Sequence, residues 1–510
     1  MNGKVLLVGA GPGDAGLFTI KGRRALENAD VVVYDALVGQ GVLALIPPQV
    51  RKINVGKRAS HHLMPQGDIN KLLLNEAKSG NRVVRLKGGD PFLFGRGGEE
   101  LELLRENGIA YEVIPGVTSA LSVPAYAGIP VTHRGLASSL HIITGHTKTQ
   151  PQAEVNYNAL AKLGGTLVFL MGITALEAIM NGLLEGGILP AMPAAVLERG
   201  TTAHQRRVVS TVEHLANDAK AANIKTPAII VVGEVCLLAD KFHWAEDRPL
   251  GNICVAVTRP YESASSLTLR LQELGAEVIE LPTIKIEPIK QNAPLESALQ
   301  NISAYTWLAF TSPAGVRVFY DQLLKMHKDI RSLAGVKIAA VGAATAKALE
   351  HHGLLVDCVP QTYSGVHLGE ELGAKAQGGR VLVLRAAQGS KKLVQALAEA
   401  GVNYDDIALY NTDFTTECDE ALRAQIACGD IDYALFTSAS TVKGFSAVAG
   451  GASLSHIRAI CIGQETAAEA RLHGMNITVP QEASIESMVA ELIKLNKEKT
   501  SGGKIYGAFK

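Results

Sequence analysis

Short runs of apolar, often β-branched residues alternate with helical patterns along almost the whole chain. The runs include VLLVGA at 5–10, RVVRLKGG at 82–89, TLVFLMG at 166–172, ICVAVT at 253–258 and YALFTS at 433–438. A strand followed by a helix and another strand is the repeating unit of parallel sheets that are covered by helices. The alternation therefore predicts an α/β fold throughout.

The size and the net charge of the chain indicate how many domains it has and which partners it can bind. Its 510 residues exceed what one hydrophobic core organises, so we expect two to four domains. The formal net charge is zero, so nucleic acid is not an expected partner and any anionic ligand needs a local cluster of cations.

The apolar runs are strand-length and the N-terminus has no signal-peptide pattern, so no membrane association is expected. The six cysteines have no C-x-x-C pair and no histidine at metal spacing, which predicts reduced thiols, no metal and a cytoplasmic location.

The best candidate for a linker is the sequence FHWAEDRPLGN at 242–252, which is charged, contains proline and glycine, and precedes a new strand. A weaker break lies where glycine and proline are dense, near residues 116–130. We therefore predict a first domain with two subdomains, a linker, a second domain and a flexible tail, at residues 1–243 (about 1–117 and 118–243), 244–251, 252–497 and 498–510.

The second half contains an internal repeat. Thr311-Ser312 recurs 126 residues later as Thr437-Ser438, and a Gly-x-x-Thr-Ala pattern at 342–346 recurs at 463–467. Two signatures in the same order at nearly constant spacing predict two similar α/β lobes that face each other.

Three glycine-containing turns follow strands of the first half. The first, Gly9-Ala10-Gly11-Pro12-Gly13-Asp14, differs from the dinucleotide fingerprint because Asp14 occupies the place of the third glycine, and alone it fits a structural turn as well as a ligand site. The second is Gly88-Gly89-Asp90-Pro91, and the third begins at Pro115-Gly116. Together they predict a cleft for a small polar cofactor.

The segments GAGPGD, DVVVYDALV, VGKR, LKGGDPFLFGRGGEE, IPGVTSA and PVTHRG, in this order, resemble the tetrapyrrole methylase family over roughly residues 3–243. They are most similar to its uroporphyrinogen-III C-methyltransferase members. The resemblance implies a two-subdomain fold, S-adenosylmethionine as methyl donor and S-adenosylhomocysteine as its product; we also expect a homodimer formed through this half. The implied cofactor site comprises Pro12, Gly88, Gly89, Asp90, Leu93, Thr118, Ser119, Met171 and Gly200.

The resemblance also implies Asp35 as a proton acceptor and Lys57 as a proton donor. Without it, Asp35 would be interpreted as an aspartate of a strand-end turn. Uroporphyrinogen III has eight carboxylates, which require local cations. Candidates are concentrated near the predicted turns, at Arg51, Lys52, Lys57, Arg58, Arg85, Lys87, Arg96 and Arg134, with His61 and His62 nearby.

The segments VTRP, AFTSPAGV, AVGAATA, VLRAAQG, ALYNTDF, LFTSAST and CIGQETA resemble uroporphyrinogen-III synthase over roughly 252–497. This implies two lobes that exchange chain through a two-strand ladder, one from 252–284 plus 412–497 and the other from 286–410. Thr345, Ser438 and Thr466 match substrate positions of that family. Tyr410 interrupts the internal repeat and is either a hydrogen-bond donor in catalysis or an aromatic residue of the ladder.

The combined expectation is an enzyme that cyclises hydroxymethylbilane to uroporphyrinogen III and methylates this product to precorrin-2, in the sirohaem and cobalamin branch. One alternative is a diphthine synthase-like methyltransferase, and another is a methyltransferase regulated by a two-lobed ligand-binding module. An oxidoreductase that uses a nicotinamide cofactor is disfavoured by Asp14 in the first turn.

Overall fold

The computed structural model describes residues 3–56, 64–145, 155–258, 265–281, 283–414 and 420–502. Within these ranges the chain forms four sheets of five strands each. Helices pack on the sheets, and each sheet separates two clusters of buried apolar residues. The predicted α/β fold is confirmed.

The first sheet is entirely parallel, and its strand order is β3-β2-β4-β1-β5. Its strands are β1 Lys4–Gly9, β2 Val31–Tyr34, β3 Arg51–Asn54, β4 Arg82–Lys87 and β5 Ala110–Ile114. Its helices are α1 Ile20–Glu27, α2 Gln40–Leu43, α3 Gln66–Lys78 and α4 Gly97–Glu106. Because the strands are parallel, the turns after β1, β2, β4 and β5 all lie at the carboxyl edge of the sheet.

The second sheet is mixed, with the order β6-β7-β10-β8-β9; β6 and β7 are its one pair of neighbouring strands that run parallel, and the other neighbouring pairs are antiparallel. Its strands are β6 Leu140–Thr144, β7 Thr166–Leu170, β8 Pro193–Glu198, β9 Arg206–Thr211 and β10 Ala228–Val232. Helix α5, Ser119–Tyr126, connects the two sheets, followed by α6 Tyr157–Leu163, α7 Leu176–Glu185 and α8 Leu215–Ala221. Ala120 and Val123 of α5 belong to the apolar core of this second sheet.

The second half forms two lobes. One sheet has the order β12-β11-β18-β19-β20 and the other the order β13-β17-β16-β14-β15. The first lobe contains β11 Cys254–Val257, α9 Ser265–Glu273, β12 Glu277–Glu280, α15 Glu420–Cys428, β18 Tyr433–Phe436, α16 Ala439–Ala449, β19 Arg458–Cys461, α17 Gln464–Leu472, β20 Asn476–Thr478 and α18 Ile485–Gly502. The second lobe contains β13 Ile284–Pro288, α10 Ala293–Gln300, β14 Trp307–Phe310, α11 Pro313–Lys325, β15 Lys337–Ala340, α12 Ala343–His351, α13 Gly365–Lys375, β16 Arg380–Ala386, α14 Lys392–Glu399 and β17 Asn403–Phe414.

The chain leaves the first lobe after β12 and returns to it after β17. The two crossing strands, β13 and β17, pair antiparallel, with Ile284 opposite Phe414 and Pro288 opposite Tyr410. The predicted exchange of chain through a two-strand ladder is therefore confirmed.

The internal repeat corresponds to the same turn in each lobe. Strand β14 ends at Phe310 and β18 at Phe436, and a serine then caps the next helix. Ser312 Oγ accepts from Gly315 N at 3.0 Å, and Ser438 Oγ accepts from Thr441 N at 3.3 Å. A serine at this position satisfies one of the free amides of the first helical turn, which explains the recurrence of the serine.

The segment at 244–251 packs against both halves. Trp244 Nε1 donates to the Ala125 carbonyl at 2.9 Å, and Leu250 N donates to the Leu274 carbonyl at 2.9 Å. The Arg248 guanidinium lies 5.2 Å from the centre of the Trp244 ring. This segment therefore contributes to the contact between the halves in addition to connecting them.

The end of the chain differs from the prediction. Helix α18 continues to Gly502, and Lys499 pairs with Asp432 of the first lobe at 2.9 Å. Residues 498–502, the first part of the predicted flexible tail, form the end of this helix, and residues 503–510 lie outside the described part. None of the helices in the described ranges combines the length and the apolar character that a bilayer crossing requires.

Candidate functional site

The three glycine-containing turns meet at the carboxyl edge of the first sheet. Gly11 and Gly89 exchange backbone hydrogen bonds, at 2.8 Å from Gly89 N and 3.1 Å from Gly11 N. A Cβ on Gly9 would lie 2.5 Å from the Gly116 Cα and 2.6 Å from the Gly89 carbonyl oxygen. Larger residues cannot be accommodated at this junction, so the glycines allow the three turns to pack directly.

Asp90 organises this junction with both carboxylate oxygens. One oxygen accepts from Phe92 N at 2.8 Å and from Leu93 N at 3.2 Å, and the other accepts from Gly116 N at 3.0 Å. Leu93 itself packs against the core of the second sheet. Asp90 therefore holds two of the predicted cofactor turns together, which the prediction of a direct ligand contact did not anticipate.

Gly89 is the position where the backbone leaves space for a ligand. Its φ is +65°, a conformation that glycine adopts without strain, and nothing lies within 4 Å of a Cβ built there. The neighbouring Gly88 faces the turn after β2, because a Cβ on Gly88 would be 2.7 Å from the Leu37 Cβ. A side chain at Gly89 would project into open space beside the three turns.

The second subdomain contributes three further elements. Thr118 caps α5, with its Oγ1 accepting from Ala120 N at 3.3 Å, and Ser119 is the first residue of that helix. Met171 follows β7 with a φ of +55° and is 49% exposed. Gly200 follows β8, and a Cβ there would lie 2.2 Å from the Val123 Cγ1 of α5.

Non-glycine residues with positive φ are concentrated around these turns. Phe94, Arg96, Met171, Arg199 and Thr201 all have φ between +46° and +67°. Such conformations cost free energy and persist where the surrounding structure enforces them, commonly at functional sites. Pro12 lies close to these residues, because a Cβ built on the adjacent Gly13 would be 3.2 Å from the Thr201 Oγ1.

Asp35 follows β2 at the same edge of the sheet. Its Oδ1 accepts from Leu37 N at 3.1 Å, and its Oδ2 is 3.4 Å from the Arg85 Nη2. The side chain is 25% exposed, so its carboxylate is oriented by the protein and still reaches solvent. Lys57, the predicted proton donor, lies outside the described residues, as do Arg58, His61 and His62.

Arg85 and Lys87 are buried in an ion cluster below Asp35. Glu100 of α4 accepts from Lys87 Nζ at 2.8 Å and from Arg85 Nε at 3.2 Å, and its side chain has no exposed surface. Burial lowers the pKa of Lys87, the Arg85 charge acts in the same direction and Glu100 opposes both. The hypothesis that Arg85 and Lys87 bind substrate carboxylates directly is therefore wrong, because both side chains are buried and their charges are balanced by Glu100 and Asp35.

Glu100 is the residue of this region that sequence reasoning missed. Arg85 and Lys87 lie two residues apart on a central strand, so both side chains point to one face of the sheet. Two cations on the buried face of a central strand require a buried counter-charge. That requirement was a signal for an acidic residue on the covering helix.

In the second half, Tyr410 and Ser312 form a hydrogen bond between their hydroxyl groups at 2.8 Å. Tyr410 is 6% exposed. Burial raises its pKa above the ordinary value, and the bond with Ser312 acts in the opposite direction. The tyrosine hydroxyl therefore lies beside the N-terminus of α11, one of the two repeated serine caps.

Thr345 and Thr466 occupy matching places in α12 and α17, and they are 3% and 4% exposed. Neither threonine is the capping residue, since Gly342 and Gly463 stand at the N-caps of these helices. A glycine cap has no side chain to bind the first amides, so neither helix start has a side-chain cap; in α12, Thr345 N donates to the Gly342 carbonyl at 3.1 Å. Ser438 uses its hydroxyl to cap α16 and remains partly exposed.

A contact between the lobes joins Lys392, the first residue of α14, to Glu465 near the start of α17. The two helices belong to different lobes. Because the ion pair joins their first turns, their N-terminal ends lie close to each other. Within the described residues, no group of histidine, cysteine, aspartate and glutamate side chains is suited to hold a metal ion.

Known proteins match both halves. The family model of tetrapyrrole (corrin/porphyrin) methylases matches residues 4–216, and that of uroporphyrinogen-III synthase HemD matches residues 265–490. The porphyrin biosynthesis protein HemD of Ruminiclostridium josui is 45% identical over 506 residues, which cover 99% of each chain. The chain belongs to the tetrapyrrole methylase and uroporphyrinogen-III synthase families.

Relatives of the methylase half alone are also similar. The S-adenosyl-L-methionine-dependent uroporphyrinogen III methyltransferase of Methanosarcina barkeri is 51% identical over 239 residues, covering 47% of this chain and 94% of the relative. The solved uroporphyrin-III C-methyltransferase of Thermus thermophilus, in complex with S-adenosylhomocysteine, is 42% identical with a TM-score of 0.40; it covers 46% of this chain and 100% of its own.

Proposed function

We propose that this chain catalyses two consecutive steps of tetrapyrrole synthesis. The second half closes hydroxymethylbilane to uroporphyrinogen III, with inversion of the last ring and loss of water. The first half transfers methyl groups from S-adenosylmethionine to uroporphyrinogen III and forms precorrin-2. The observation that carries this proposal is the end-to-end similarity, at 45% identity over 506 residues, to a porphyrin biosynthesis protein.

The turns of the first half fit S-adenosylmethionine. Bound there, the cofactor supplies an electrophilic methyl group on a sulfonium. The open space at Gly89, together with its φ of +65°, is a cradle that any larger residue would fill. The residues proposed to hold the cofactor are Pro12, Gly88, Gly89, Asp90, Leu93, Thr118, Ser119, Met171 and Gly200.

Asp35 is the proposed proton acceptor of methyl transfer. Methylation of a ring carbon requires removal of a proton from the substrate, and an oriented carboxylate at the edge of the cleft can accept it. The Leu37 amide and the Arg85 guanidinium fix the orientation of this carboxylate. Lys57 remains the proposed proton donor.

The proposed substrate cleft of the second half lies between the lobes, where α14 and α17 face each other. A linear tetrapyrrole with eight carboxylates can be held there by free helix amides and by cations at the lobe surfaces. Thr345, Ser438 and Thr466 line the helix starts in this proposal. Tyr410, supported by Ser312, donates a hydrogen bond that assists loss of the substrate hydroxyl.

The wider setting follows from this chemistry. We propose that neither half uses a metal, that the protein acts in the cytoplasm as a homodimer formed through the methylase half, and that precorrin-2 enters the sirohaem or cobalamin branch. Tetrapyrroles are the proposed partners, and neither nucleic acid nor a membrane is among them.

Transfer of a labelled methyl group tests the first activity alone. Purified protein is incubated with uroporphyrinogen III and S-adenosylmethionine that carries a labelled methyl group. We expect the label in a product heavier than the substrate by whole methyl groups. Absence of label from the tetrapyrrole fraction would refute the methyltransferase assignment.

A further inference from the structure

The turn at residues 199–205 belongs to the proposed cofactor site and also contacts the second half of the chain. It contains Gly200, flanked by Arg199 with a φ of +46° and Thr201 with a φ of +67°. Left-handed conformations at two non-glycine residues are unfavourable for an isolated turn. The conformation of this turn must therefore be maintained by its contacts.

One set of contacts lies within the methylase half. Thr201 N donates to Gln205 Oε1 at 2.8 Å, and Gln205 Nε2 donates to the Tyr126 carbonyl at 3.1 Å. Tyr126 Oη donates to Asp14 Oδ2 at 2.7 Å, and Asp14 N donates to Thr201 Oγ1 at 3.3 Å. This closed series of bonds ties the turn to the first glycine turn and to the end of α5.

The other set of contacts comes from the second half. Ala203 N donates to Glu277 Oε2 on β12 at 2.8 Å, and the His204 ring lies with its Nε2 3.1 Å from the Asp430 carbonyl. Ala203 is 7% exposed and packs into the apolar core of the first lobe. Removal from water raises the pKa of Glu277, and the bond from Ala203 opposes this.

The two sets of contacts meet around a small cavity between the halves, of about 50 Å³. Its lining includes Asp14, Tyr126 and Thr201 from the first half and Glu277 from the second. The Arg248 side chain, from the connecting segment, lies over the Tyr126 ring at 5.9 Å. The turn is therefore held between the two halves of the chain. Glu277 is the carboxylate of the second half that binds the turn, through the Ala203 amide.

We propose that Glu277, a residue of the synthase half, is a positioning residue for the cofactor site of the methyltransferase half. It holds the Ala203 amide and thereby keeps Gly200 in the position that S-adenosylmethionine requires. A carboxylate that accepts a backbone N–H in a partly buried place forms one of the stronger protein hydrogen bonds. This inference rests on the proposed function of the first half as a methyltransferase.

The test compares full-length variants in two measurements. Glu277→Ala removes the acceptor, whereas Glu277→Gln retains an oxygen that can accept the same amide. Glu280→Ala is the matched control, because Glu280 lies on the same strand and bonds to Thr268 within its own lobe. Calorimetry measures the dissociation constant of S-adenosylmethionine. Hydrogen exchange of the cofactor-free protein measures the exchange rates of the backbone amides at 199–205.

We expect Glu277→Ala to weaken S-adenosylmethionine binding about fivefold and to accelerate exchange of these amides, while cyclisation of hydroxymethylbilane stays unchanged. Glu277→Gln and Glu280→Ala should behave like the wild type. The inference is overturned if Glu277→Ala retains wild-type affinity and exchange, or if Glu280→Ala has an equal effect. If wild-type protein does not bind S-adenosylmethionine, the proposed function fails instead.

A second variant keeps the inference testable if Glu277→Ala does not fold. His204→Ala removes the neighbouring contact with the Asp430 carbonyl and leaves Glu277 in place. We expect a smaller loss of affinity in the same direction, with faster exchange of the same amides. Wild-type values for both measurements would overturn the inference that contacts from the second half hold this turn in place.

Discussion

Among single residues, Asp35 combines orientation with access to solvent. Its carboxylate is held by the Leu37 amide and by Arg85, yet a quarter of the side chain is exposed. We predict that Asp35→Asn lowers the rate of methyl transfer by a factor of about 10²–10⁴, because an amide cannot accept the substrate proton. Single-turnover kinetics measures the rate, and calorimetry should show nearly unchanged affinity for S-adenosylmethionine.

Asp30 provides the control for this prediction. It lies just before β2, and its Oδ2 accepts from Arg82 N at 2.7 Å, away from the carboxyl edge of the sheet. Asp30→Asn should therefore leave the rate of methyl transfer close to that of the wild type. Near-normal turnover of Asp35→Asn would remove Asp35 from the mechanism.

Gly89 is the residue at which the space proposed for the cofactor can be filled directly. We predict that Gly89→Val abolishes binding of S-adenosylmethionine without unfolding the chain, because the side chain enters the open space beside the glycine turns. Calorimetric titration measures binding, and circular dichroism measures the fold.

Gly108 is a matched control, since it has the same φ of +65° and equally open space but lies in the turn before β5. Gly108→Val carries the same backbone strain far from the proposed site. It should retain the affinity of the wild type. Equal affinities for the Gly89 and Gly108 variants would contradict the assignment of the cradle.

At the scale of elements, the function proposed for the second half depends on helix starts that recur in both lobes. We predict that Thr345→Ala and Thr466→Ala each weaken capture of hydroxymethylbilane by about 1 kcal/mol, the usual contribution of one hydrogen bond. The Michaelis constant for cyclisation measures this effect. A complete loss of activity from either substitution, with the fold intact, would contradict a function distributed over several helix starts.

Tyr410 belongs to the ladder strand β17 and contacts the start of α11. We predict that Tyr410→Phe slows ring closure but leaves measurable activity, because the substitution removes one hydroxyl and preserves the ring in its buried place. Ser312→Ala removes the partner of that hydroxyl. The turnover number for cyclisation is measured for both variants. A Tyr410→Phe variant that is folded but inactive would contradict the prediction and make the tyrosine indispensable.

The elements themselves were largely predictable from the sequence. The alternation of strands and helices, the repeat at Thr311-Ser312 and the three glycine turns each correspond to a feature of the structure, because local patterns determine them. Burial of individual polar groups was not predictable. Arg85 and Lys87 were expected at the substrate, and only the structure shows that Glu100 of α4 and Asp35 pair with them inside the protein.

The contact between Ala203 and Glu277 was also beyond sequence reasoning. The two residues are 74 positions apart and belong to different predicted domains. Patterns of hydrophobicity indicate which face of an element is buried, but they do not indicate which domain covers it. The strained turn at 199–205 is visible only in backbone angles.

At the scale of the whole molecule, we predict that fragments 1–246 and 250–510 fold when expressed separately. Each contains complete sheets and enough residues for its own core. The first should methylate uroporphyrinogen III with weakened affinity for S-adenosylmethionine, since it lacks Glu277, and the second should cyclise hydroxymethylbilane without a methyl donor. Solubility and both activities are measured. Insolubility or inactivity of either fragment would show that the halves depend on a shared core.

The central claim is that one chain produces and then consumes uroporphyrinogen III. The most direct measurement incubates the intact protein with hydroxymethylbilane, with and without S-adenosylmethionine, and analyses products by mass and isomer composition. Without the methyl donor we expect uroporphyrinogen III as the product, and with it precorrin-2. Accumulation of the uninverted isomer I, or of unmethylated isomer III despite the methyl donor, would contradict the claim.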